Sequence, residues 1–248
     1  MSDEEQNQDW QPREGEEQHE EGTTQDTTTE PEAEEADLGS YLSQAWTLVS
    51  EEPMLFIVAF LVLFLLSAVS SIVVVGPLII GGPLLFGYLD IIQKRIEGEP
   101  AEIGDVFGGF ARFRKSLVTF LLIAAIGLGV GVLQAGAIFG LRLVPCLGSM
   151  IGYVLPAAVQ VLLGAALFFV FPIAVFSDTS PTEAIGDSFA FCRENPRPTI
   201  LLSLVTQVLA SIGVVACGVG YFLTAPLAIT MMVIAYNEYY VPNAPKNI

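Results

Sequence analysis

The chain has 248 residues, of which 52% are hydrophobic and only 15% charged, with a mean hydropathy of +0.59. That composition excludes an ordinary soluble globular domain, where about a quarter of residues are charged. The formal charge of −17 sits mostly in residues 1–37, where fifteen Asp and Glu face the single base Arg13, and so acidic a balance excludes nucleic acid as a partner.

The first 37 residues are rich in Glu, Gln and Thr and nearly free of apolar side chains. Such a stretch cannot bury enough surface to offset its chain entropy, so a disordered, solvated acidic tail is expected. It lacks the basic start and apolar core of a signal peptide. As an exposed acidic arm it is the candidate surface for a protein partner.

From residue 38 the chain turns apolar. Met54–Val75, Leu117–Leu141, Leu147–Phe176 and Thr199–Asn237 carry no charge, and each exceeds the roughly 18 residues that mark a transmembrane candidate. Met54–Gln93 is long enough for two spans with a turn at "VVVGPLIIGGP", and Thr199–Tyr236 for two more with a turn at "CGVGYFLTAP". A glycine-rich span at 117–140 and a long one at 149–176 lie between them. The expected fold is an all-α polytopic bundle of six spans in three hairpins over residues 38–240, followed by a short tail at 241–248.

The long connections hold the bases: Lys94, Arg95, Arg112, Arg114 and Lys115 in one, Arg193 and Arg197 in the other. The connections on the opposite side hold only Arg142. Basic loops resist translocation, which predicts both long loops and both termini on the cytoplasmic side.

These loops also share letters. "PAEIGDVFGGFARF" from Pro100 matches "PTEAIGDSFAFCR" from Pro181 with one inserted residue, and "LGSYLSQAW" from Leu38 is a weaker third copy. Pro83, Pro156 and Pro226 fall in corresponding places of the three hairpins. A threefold unit of loop helix, span, turn and span is expected, over about 38–95, 96–176 and 177–240. Each loop helix reads as amphipathic at three- and four-residue steps, with Trp46, Phe107, Phe110, Phe113 and Phe189 as anchors in the headgroup region. Ser180, Pro181 and Glu183 spell a capping box with Pro in the first turn. The shared Gly39, Gly104 and Gly186 cost helix propensity, so close packing against a neighbour is expected there.

Chemistry-bearing residues are few. "GLGVG" and the pairs Gly127/Gly131 and Gly136/Gly140 lack the strand that a phosphate loop needs and read as a packing face within the bundle. Cys146, Cys192 and Cys217 have no metal-ligand spacing, and the one histidine, His19, lies in the tail, so no metal or other cofactor is implied. Cys146 and Cys217 both fall near the outer face, where a disulfide and two separate thiols are both open. Polar residues inside spans are costly and therefore informative. Gln134, Gln160, Gln207 and Asp90 form either structural bonds between helices or an intramembrane polar path. Asp90 has Lys94 at i+4 as a partner, or the headgroups. Nothing spells a nucleophile with its base; a metal-assisted phosphohydrolase built on Asp105 and Asp187 stands behind both noncatalytic readings.

Residues 83–113 and 171–240, with their Pro, Gly-Tyr, Gly-Glu, Asp-x-Phe and closing Ala-Tyr positions, resemble a broad group of uncharacterised bacterial six-span membrane proteins. Similar segments form the membrane domain attached to some glycerophosphodiester phosphodiesterases, whose soluble catalytic domain is absent here. The resemblance implies a bundle in the bacterial inner membrane. The function expected is a noncatalytic structural or partner-organising component in the lipid bilayer, with a transporter of a small molecule or lipid as the alternative; the sequence leaves the oligomeric state open.

Overall fold

The computed structural model describes residues 37–73, 75–141, 147–215 and 220–243, and their side chains except at 140–141, 147–153 and 214–215. The acidic tail as far as residue 36, Arg142, Cys146 and Cys217 lie outside the described residues. Among the described residues every regular element is helical. Four stretches are long and apolar enough to cross a membrane by length and composition: Pro53–Ser70, Gly76–Ile96, Ile103–Phe139 and Val154–Phe176.

A short helix followed by two long ones recurs along the chain. Helix α1 (Leu38–Glu51) leads into α2 (Pro53–Ser70) and α3 (Gly76–Ile96). A 3-10 helix (Ile103–Arg112) leads into α4 (Phe113–Leu141) and α5 (Leu147–Ala166), which is extended after a break by α6 (Val170–Phe176). Helix α7 (Pro181–Glu194) leads into α8 (Pro196–Val215) and α9 (Tyr221–Ala235), which runs into a π-helical turn, Tyr236–Tyr240. Pro83, Pro156 and Pro226 each lie inside the second long helix. Helix α3 ends on Gly98 at φ +76°, with the Glu99 amide donating to the Lys94 carbonyl at 2.8 Å, the left-handed glycine stop of a helix.

Helices α3 and α9 form the centre. Leu84, Phe86, Tyr88, Leu89, Ile91 and Ile92 of α3 are fully buried, as are Met231 and Val233 of α9. Helix α3 packs against α2, α4, α6, α9 and the 3-10 helix, and α9 against α8, α1, α2 and α3, so the first short helix lies on the last long one.

The three related loop sequences share a burial pattern. In Leu38–Leu42, Ile103–Phe107 and Ile185–Phe189 the fourth residue points inward: Tyr41, Val106 and Ser188 are 6%, 0% and 1% exposed. The fifth points outward, with Leu42, Phe107 and Phe189 at 36%, 50% and 58%. The glycine of each copy does not pack closely, contrary to expectation. A Cβ on Gly104 or Gly186 would meet nothing within 4 Å, and one on Gly39 only Asp37 Oδ1 of its own helix cap. Gly127, Gly129, Gly131 and Gly136 of α4 likewise meet nothing within 4 Å, so among the described residues that stripe is not a packing face.

The close approach lies elsewhere. A Cβ on Gly87 of α3 would fall 1.9 Å from the Val106 carbonyl oxygen, and one on Gly109 2.0 Å from that of Pro83. Two backbones meet there with no side chain between them. The same contact explains why the first loop sequence is a 3-10 helix rather than the amphipathic α-helix its spacing suggests. Gly108 and Gly109 weaken an α-helix by about 1 kcal/mol each. Docking on α3 rewards a tight three-residue turn that brings Val106 and Gly109 onto one face. In α7 the corresponding stretch lacks the glycine pair and begins with the expected capping box: the Ser180 amide donates to Glu183 Oε2 at 2.8 Å, and the Glu183 amide to Ser180 Oγ at 3.3 Å.

Candidate functional site

All three short helices lie at one end of the bundle, and the polar side chains gather between them. Arg112 is the last residue of the 3-10 helix. Its Nη2 pairs with Asp90 Oδ2, its Nη1 donates to the Val175 carbonyl at 2.6 Å, and its guanidinium lies 5.8 Å over the Phe86 ring. Lys115, one turn on, donates to the Ser177 carbonyl at 2.6 Å. Carbonyls at a helix C-terminus have no partner within the helix, and here bases from the junction of the 3-10 helix and α4 satisfy those at the end of α6. Asp90 therefore pairs with Arg112 and not with Lys94, which forms an ion pair with Asp105 at 3.0 Å. The same Asp105 oxygen accepts the Glu102 amide at 3.0 Å, fixing the start of the 3-10 helix.

The layer continues round the bundle. Arg95 pairs with Glu52 at 2.8 Å, Asn237 donates to Gln93 at 2.8 Å, and Gln44 donates to Glu238 at 3.1 Å. Ser177 and Tyr236 share a hydrogen bond of 3.2 Å. Beneath it Phe169, Phe191, Tyr236 and Tyr240 pack with ring centroids 4.8–5.5 Å apart, joining α6, α7 and the π-helical turn. Ser188 fills the break between α5 and α6, donating to the Ala166 carbonyl at 2.8 Å and accepting the Phe169 amide at 3.2 Å.

No family model matches this chain, and no curated protein or solved structure matches it either. What the site can do therefore rests on its own geometry.

The four residues read as either structural bonds or a polar path are not drawn to one point. Gln134 donates to the Pro156 carbonyl at 3.4 Å, whereas Gln207 lies against Gly164 with its Nε2 buried and unpartnered. Both contacts are on α5, but eight residues of helix separate them by about 12 Å. Gln160 is exposed, and Asp90 belongs to the polar layer. Trp46, Phe107, Phe110, Phe113 and Phe189 are all exposed, between 38% and 58%. Phe107, Phe110 and Phe113 stack in a row at 6.4 and 6.3 Å, because side chains three apart eclipse on a 3-10 helix.

Among the described residues no three His, Cys, Asp or Glu side chains come together as a metal site. Burial pushes the Cys192 thiol up from its ordinary value, away from the nucleophilic thiolate. The Ser180 amide and hydroxyl hold Glu183 below the usual carboxylate range, whereas burial and then the charge of Glu183 one turn away push Asp187 up. Gly87, which the sequence reading noted only as part of a Gly-Tyr position, and Gly109, which it passed over, are where α3 and the 3-10 helix leave no room for a side chain. The adjacent glycines at 108–109 were the available signal.

Proposed function

We propose that this chain is a noncatalytic inner-membrane component of six spans, built as a threefold repeat with both termini in the cytoplasm, whose role is to organise partners in the bilayer. Four stretches of sufficient length and apolarity, the hairpin of α8 and α9, and the shared inward and outward positions of the three loop copies support that architecture. The sequence resemblance to the membrane domain attached to some glycerophosphodiester phosphodiesterases implies the same architecture. The acidic tail is the arm offered to a protein partner.

The observation that carries the functional reading is the separate engagement of the glutamines and of Asp90. Gln134, Gln207 and Asp90 lie against different parts of the bundle and Gln160 is exposed, so the four do not line one conduit. The transport alternative has one observation in its favour, the buried Gln207 amide without a partner, a position open to a polar ligand.

Purification in native lipid discs, with mass spectrometry of every co-purifying protein, lipid and small molecule, tests the reading alongside a chain lacking residues 1–37. A stoichiometric protein lost with the tail is the expected result. Recovery of the chain alone with a small molecule that Gln207→Leu abolishes would overturn it in favour of transport.

A further inference from the structure

A groove of about 650 Å³ opens beside the polar layer, where the 3-10 helix passes into α4 and faces the first residue of α7. That volume lies in the range of small-molecule sites, about 300–1,000 Å³. Its lining combines two chemistries. Arg112, Arg114 and Lys115 supply three cations, with no carboxylate among the lining residues, while Phe113, Val118 and Pro181 supply apolar walls.

The cations are not equally occupied. Arg112 is engaged by Asp90 and the Val175 carbonyl, and Lys115 gives one of its donors to the Ser177 carbonyl. Arg114 is exposed and makes no hydrogen bond or ion pair among the described residues. Immediately beside these charges the surface becomes apolar. The Phe107–Phe110–Phe113 row flanks the groove, and Val118, Leu121 and Leu128 continue along α4 at 37%, 40% and 69% exposed.

We propose that this groove holds the headgroup phosphate of an anionic phospholipid of the cytoplasmic leaflet, with Arg114 and the free donors of Lys115 on the phosphate and an acyl chain along Val118 and Leu121. The proposal rests on the membrane reading above. Charge complementarity selects an anion, and guanidinium geometry suits phosphate oxygens. The exposed apolar strip leading away from the charges selects a lipid over a free anion, which would leave that strip uncovered.

The test takes the full chain in vesicles of phosphatidylcholine mixed with phosphatidylglycerol, floats it, extracts it in mild detergent and counts retained lipids by native mass spectrometry. Wild type is expected to keep phosphatidylglycerol over phosphatidylcholine by about fivefold per basic side chain engaged. Arg114→Glu is expected to lose that preference at an unchanged melting temperature, and Arg114→Lys to keep it. Equal phosphatidylglycerol retention by wild type and Arg114→Glu would overturn the groove assignment alone. A wild-type chain that fails to float with the vesicles would instead overturn the membrane reading.

Discussion

At Gly109 the space for a side chain is already filled by the Pro83 carbonyl, whereas at Gly104, five residues earlier in the same 3-10 helix, nothing is near. Two glycines that look alike in sequence should therefore respond oppositely. Gly109→Ala is expected to cost about 3 kcal/mol, the upper end of overpacking penalties, read as a lower melting temperature in detergent. Gly104→Ala is expected to be neutral or to stabilise by up to about 1 kcal/mol, since it removes unfolded-state freedom without a clash. The Asp90–Arg112 pair supplies a second comparison. Asp90→Asn should cost about 1–3 kcal/mol, because the guanidinium keeps its burial but loses its counter-charge, and a double-mutant cycle with Arg112→Gln should show a coupling of similar size. The recurring five-residue pattern was legible in the sequence, but its meaning was not. Repetition marks the positions that must match, and only packing shows that the buried fourth residue, not the glycine, is the one that docks.

Among the elements, the two loop helices show what local sequence can and cannot settle. Helix α7 was fully legible, since Ser180, Pro181 and Glu183 state where it starts and capping chemistry is local. Ser180→Ala is expected to cost about 1 kcal/mol in thermal unfolding. Glu183 adds a pH dependence. Its carboxyl is held below the ordinary value, so its stabilisation is complete above the usual glutamate pKa and fades as pH falls through the lowered one. Melting temperatures measured down an acid series should fall less steeply for Glu183→Gln. Asp187 has the opposite sign: its ionisation is disfavoured in the fold, so Asp187→Asn should raise the neutral-pH melting temperature. The 3-10 helix was legible only as an amphipathic segment. Its tighter turn is imposed by docking on α3, a tertiary contact that no spacing rule encodes.

For the molecule as a whole, burial is concentrated at the end that carries the short helices. At the opposite end the described apolar residues are exposed: Val69 and Ile72 at the close of α2 are 64% and 86% exposed, and Val132, Leu133 and Phe139 of α4 are 65–74% exposed. Apolar runs made the four membrane-length stretches legible, because hydrocarbon thickness acts on composition alone. The unequal packing of the two ends was not legible, since a residue facing lipid and one facing a neighbouring helix are chosen from the same apolar set. Topology can be read by placing single cysteines in a chain without Cys146, Cys192 and Cys217. Ile72→Cys is expected to react with a membrane-impermeant maleimide added outside intact cells, and Glu99→Cys only after lysis.

The central position of α9 also carries a consequence for how the protein is made. The buried face of α3 is complete only when residues 221–240 lie against it, yet those residues leave the ribosome about 125 positions after α3 ends. At about 5–20 residues per second the nascent hairpin of α2 and α3 waits some 6–25 seconds for its partner. During that wait the 3-10 helix, α4 and α6 can dock on α3, but the part of its face that meets α9 lacks its partner. Ribosome stalling or truncation before residue 221 should therefore release a half-built bundle, a ready substrate for membrane quality-control proteases.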